Sequence, residues 1–146
     1  LRFEGEMSVE QQQGAQVIYD LLQEITAFIR SKELWDAKTK LEIAENLIRG
    51  YAEVFLDRPR IAFKENEKLE MDIRYLKERL CGRWVPLARE FRCRQDLAQA
   101  QECIHKARTL MEEGGFHRQR KHIRPEERML AAAFKNREKR KLSIIR

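Results

Sequence analysis

A chain of 146 residues with 37% charged and 42% hydrophobic residues, but only 6 Gly and 3 Pro, has room for one principal core and the composition of long, solvated helices. No apolar run approaches the roughly 18 residues that a membrane span requires, so no membrane partner is expected. The three cysteines Cys81, Cys93 and Cys103 are an odd number without paired spacing, which argues for a reducing compartment and an intracellular location, cytoplasmic or nuclear. The chain opens on Leu1, which points to a fragment or a processed product and leaves absent targeting signals uninformative.

The net charge of +6 is unevenly held. Residues 1–115 carry 19 Lys and Arg against 21 Asp and Glu, whereas residues 116–146 carry 11 against 3. A near-neutral body joined to a basic arm is the asymmetry of chains that touch polyanions or acidic surfaces.

In chain order, Ser8 and Gln11 form a capping-box pair that predicts a helix start, and the stripe Val17, Ile18, Leu21, Leu22, Ile25, Phe28 and Ile29 carries this helix to Arg30. A short break near Ser31 precedes a second helix to about Leu56. Leu34, Trp35, Leu41, Ala44, Leu47, Ile48, Tyr51, Phe55 and Leu56 line its inner side. Pro59 suits the first turn of a third helix, predicted to run to Leu80 along the thinner stripe Leu69, Ile73, Leu76 and Leu80, and to close at Gly82. Pro86 then permits a fourth helix from Leu87 to about Glu113.

The pair Gly114-Gly115 marks a boundary, because adjacent glycines are costly in a helix and easy in a turn. Beyond it Pro125, Glu126 and Glu127 resemble a first turn, which predicts a fifth helix from Pro125 to about Lys141. The reading is an all-α chain: an antiparallel four-helix bundle or helical-hairpin array over 1–115, with a basic helical extension over 116–146. The stretches starting at Leu34 and Leu97 share small residues placed for close helix contact, without an exact internal repeat.

A catalytic constellation does not emerge. Cys93 and Cys103 stand ~15 Å apart along one predicted helix, and no metal-closing Cys or His spacing occurs. Phosphate-cradling glycine loops, a nucleophile elbow and a dinucleotide fingerprint are all missing from the sequence. The expectation is a non-enzymatic binding module without metal, cofactor or small-molecule substrate. Trp35 and Trp84 fit packing anchors where helices turn. Arg83, Arg89, Arg92 and Arg94 around Trp84 could extend a basic surface over the body.

The arm carries the functional signal. On a helix at 100° per residue, Arg128, Lys135 and Lys139 fall within about 40° of one another, with Arg124 adjoining. Upstream, Arg118, Arg120, Lys121 and Arg124 cluster with Phe116, His117 and His122 interleaved, and Arg137, Lys139, Arg140 and Lys141 close the run. Such density suits phosphate oxygens, and interleaved aromatic rings that stack on unpaired bases would favour RNA over DNA. The alternative is docking on a protein partner or a second copy of the chain through Leu130, Phe134, Leu142, Ile144 and Ile145. A solubilising or import-signal tail is the plainest account of the same residues.

Overall fold

The computed structural model describes the backbone of residues 9–51 and 59–145, and side-chain burial over 13–50 and 67–143. Among these residues the chain is all-helical: α1 (Val9–Arg30), α2 (Leu34–Tyr51), α3 (Pro59–Cys93), α4 (Leu97–Gly114), a 3-10 turn (His117–Gln119) and α5 (Arg120–Ile145). The Ser8 cap and the expected end of α2 at Leu56 lie outside the described residues. Two compact units divide the chain, residues 1–77 and 78–146, and α3 is continuous through the boundary. The turn at Gly114-Gly115 therefore lies within the second unit, where α5 belongs together with α4.

In the first unit α1 and α2 form an antiparallel hairpin. Ile18, Leu22, Ile25 and Ile29, at three- and four-residue steps, bury against Leu34, Ala37, Leu41, Ala44 and Ile48. Lys40 of α2 reaches Glu24 of α1 at 3.6 Å, and Lys77 of α3 reaches Glu45 of α2 at 2.8 Å. Leu69, Ile73 and Leu76 are buried as their spacing predicts. Val17, Trp35 and Leu47 were assigned to inner faces, yet all three are exposed. At 100° per residue Val17, Trp35 and Leu47 stand about 120°, 140° and 100° from the centres of the buried stripes, outside their width.

Three helices end in the same way. Lys32, Gln95 and Gly115 take left-handed φ values of 65°, 64° and 69°. The following amides of Glu33, Asp96 and Phe116 donate back to the carbonyls of Phe28, Phe91 and Met111 at 2.9 Å each. This closure satisfies carbonyls that the helix end would otherwise orphan. Asp96 also accepts a hydrogen bond from the Gln99 amide at 3.3 Å and so caps α4.

The two hairpins are built alike. Leu34, Ala37, Leu41, Ala44 and Ile48 have counterparts in Leu97, Ala100, Ile104, Ala107 and Met111 at the same spacing, all buried. The turns Lys32-Glu33 and Gln95-Asp96 keep that register. Alanines at every second buried position let the paired helices approach closely.

Three expected boundaries are corrected. α3 does not close at Gly82 but runs to Cys93, so the fourth helix begins at Leu97 rather than Leu87. Pro86 removes the amide that would bond the Gly82 carbonyl, a cost of about 3 kcal/mol inside a helix. Full burial of Trp84 and Ala88, with Val85 beside them, offsets it. Gly82 serves a close approach instead: a Cβ there would stand 3.3 Å from Gln119 Oε1. The fifth helix starts at Arg120 and extends to Ile145, placing Pro125 inside its second turn. Fully buried Ile123 anchors that earlier start.

Gly50 and Gly114 answer oppositely to alanine. Nothing lies within 4 Å of a Cβ at Gly50, so Gly50→Ala gains up to about 1 kcal/mol of helix propensity. At Gly114 a Cβ would overlap the buried Phe116 ring, and moving that ring costs about 1–3 kcal/mol, more than propensity returns. Denaturant melts of the two variants check this, and shifts of the same sign would contradict it.

Candidate nucleic-acid interface

In the second unit α5 is seated by its own carboxylates. Its buried face consists of Ile123, Glu126 and Leu130, and Glu126 is only 1% exposed. Arg92 Nε of α3 donates to Glu126 Oε1 at 2.6 Å, and Arg89 Nε reaches Oε2 at 3.5 Å. On the other flank Arg108 Nε of α4 donates to Glu127 Oε2 at 2.7 Å and also holds Glu112 at 3.1 Å. The bond to Glu126 raises the pKa of the Arg92 guanidinium further, and the bonds to Glu127 and then Glu112 do the same for Arg108. Sequence reasoning gave Glu126 and Glu127 to the helix dipole. They are instead a clasp, and the available signal was that the pair brackets the azimuth of Ile123 and Leu130.

That inward use of acids leaves the bases outside. Arg118 is paired with Glu78 of α3, and Lys141 lies 3.9 Å from Glu138, an exposed contact of little energetic weight. Among the described residues no carboxylate partners Arg120, Lys121, Arg124, Arg128, Lys135, Arg137, Lys139 or Arg140, and all eight are exposed. With the helix starting at Arg120, Lys121 joins the outer stripe. Lys121, Arg124, Arg128, Lys135 and Lys139 then fall within about 60° of one another over about 27 Å.

The other assigned residues separate. Phe116 is 2% exposed, so it is not a stacking platform for bases; His117 and His122 are exposed. Leu130 is buried in the fold and is no partner contact, Phe134 is half-buried, and Leu142 is 61% exposed. The side chains of Ile144 and Ile145 lie outside the described residues. Trp84 is a fully buried core residue with the Lys106 ammonium 6.0 Å from its ring. Arg92 is committed to Glu126, whereas Arg89 reaches it at 3.5 Å but remains exposed, as do Arg83 and Arg94.

The cysteines divide by burial. Cys81 Sγ donates to the Ala107 carbonyl at 3.2 Å, and burial followed by the nearby Glu78 charge pushes its pKa up to about 12. Burial, then Glu102, raises Cys103 to about 12 as well. Cys93 is exposed. Iodoacetamide at neutral pH accordingly labels Cys93 first, with the other two following only on unfolding; mass spectrometry showing equal native labelling would contradict the burial. Because burial opposes ionisation of both thiols, the fold keeps its full stability below about pH 9 and loses stability as pH rises towards 12.

Among the described residues no group of three or more His, Cys, Asp and Glu is placed to hold a metal, and no helix is long and apolar enough to cross a membrane. Comparison with protein-family models, curated proteins and solved structures finds no match for the chain.

Proposed function

We propose that the chain is a non-enzymatic helical module that binds nucleic acid through the phosphate backbone, using the outer face of α5. One observation carries the reading: the carboxylates of the docked turns, Glu126 and Glu127, are consumed by Arg92 and Arg108, while eight neighbouring cations have no carboxylate partner among the described residues. Each phosphate neutralised by such a group releases counterions, and that release supplies affinity without base sequence. Of the rings that favour RNA, Phe116 is committed to the core while His117 and His122 stay exposed. What the unpaired cations support is the phosphate backbone, common to RNA and DNA.

A gel-shift titration with a mixed-sequence oligonucleotide pool, repeated with polyglutamate as competitor, tests this. The proposal expects a shift that an equal charge of polyglutamate fails to reverse. Complete reversal would assign the surface to an acidic protein instead.

A second reading has its own observation. Two hairpins with one buried pattern are the unit from which helical arrays that bind proteins are assembled, and Leu142 is an exposed apolar group on α5. In this reading the chain is a protein-interaction or self-association scaffold. Sedimentation of the full chain and of Leu142→Glu over a concentration range checks it; a monomer in both cases weighs against self-association.

A further inference from the structure

The charge on α5 changes character along its length. Arg92, in the last turn of α3, contacts α5 at Glu126 and Met129, and every described side chain from Lys135 to Ser143 is exposed. The seated half presents Lys121, Arg124 and Arg128 to one side. In the half that projects, Lys135 and Lys139 continue that side, but Arg137, Arg140 and Lys141 point roughly 130–230° around the axis from its centre. The projecting helix is cationic around most of its circumference, with Glu138 its single carboxylate.

A single strand, or any one-walled surface, meets one side of such a helix and leaves the far cations about a helix diameter away, ~10 Å, roughly a Debye length. A groove with phosphates on both walls meets all of them. The major groove of B-form DNA is about 12 Å wide and admits a helix of about 10–12 Å diameter, whereas the A-form major groove is deep and narrow. We infer that the ligand is double-helical B-form DNA, with the projecting part of α5 lying in the major groove between phosphate walls. Lys121, Arg124 and Arg128 of the seated part then rest on the flanking backbone. This inference depends on the nucleic-acid reading above.

Fluorescence anisotropy of the full chain with a 20-base-pair mixed-sequence DNA duplex, one of its strands alone, and the matching RNA duplex tests it. The expected result is binding to duplex DNA at least about tenfold tighter than to the other two. Arg137→Gln/Arg140→Gln/Lys141→Gln, which leaves the outer stripe intact, weakens duplex DNA binding by about 30-fold and single-strand binding by under about threefold. Equal affinity for strand and duplex, or equal losses on both, overturns the groove and leaves backbone binding standing. No binding to any of the three overturns both.

Discussion

Replacing Lys121, Arg124, Arg128, Lys135 and Lys139 together by glutamine is expected to remove most of the affinity of this chain for nucleic acid while leaving its helicity intact. All five are exposed, none has a carboxylate partner among the described residues, and glutamine is as good a helix former as lysine, so the fold loses nothing. The ligand loses five neutralised phosphates. For a duplex each contributes about −0.9 to the slope of log affinity against log salt, so the difference in slope between wild type and variant is about 4.5. Lowering salt from 200 to 50 mM then strengthens wild-type binding several hundred-fold more than variant binding. Anisotropy across that range, with circular dichroism as the fold control, checks both halves. A variant that binds like wild type would detach the stripe from function.

The largest effect on stability is expected at the clasp. Glu126 is effectively buried, and Arg92, with a side chain 16% exposed, supplies its 2.6 Å bond. Arg92→Met leaves a carboxylate out of water with only Arg89 at 3.5 Å, on a side chain 59% exposed, and is expected to cost about 3–5 kcal/mol. Arg89→Ala, by the same geometry, costs under about 1 kcal/mol. Adding Glu126→Leu to Arg92→Met removes the stranded charge and recovers much of the loss, since an apolar pair of similar volume replaces an ion pair at little net cost. Thermal melts of the three variants decide this. A double variant less stable than Arg92→Met alone would mean that Glu126 has partners beyond the clasp.

What was legible in the sequence, and what was not, follows from the range of the forces involved. The apolar stripes of α1, Val17 apart, and of the first half of α3 are legible because periodicity is written locally, in Ile18, Leu22, Ile25 and Ile29 or Leu69, Ile73 and Leu76. The break at Gly114-Gly115 was legible because the left-handed residue there is a glycine. Equivalent turns at Lys32 and Gln95 place ordinary side chains in that conformation, and the second went unseen.

Gly82 and Pro86 misled because their local cost is offset by the burial of Trp84, Val85 and Ala88, a tertiary gain that no window of sequence contains. At the candidate site the basic composition was plain from residue numbers alone. The direction of Glu126 and Glu127 was not, because whether an acid near a helix start faces solvent or an arginine depends on which helix lies alongside. Phe116 failed in the same way. The sequence places it among the arm's basic groups, and the turn at Gly115, closed by its amide on the Met111 carbonyl, buries it instead.

The central claim is that the cations of α5 are free for phosphates because the acids of its seated turns face inward. Its most direct test is the salt dependence of binding by the unmodified chain to a mixed-sequence duplex. The account predicts a straight line of log affinity against log salt with a slope of about −4 to −7, for five to eight phosphates engaged. A slope near zero, or no binding at 50 mM salt, would contradict it.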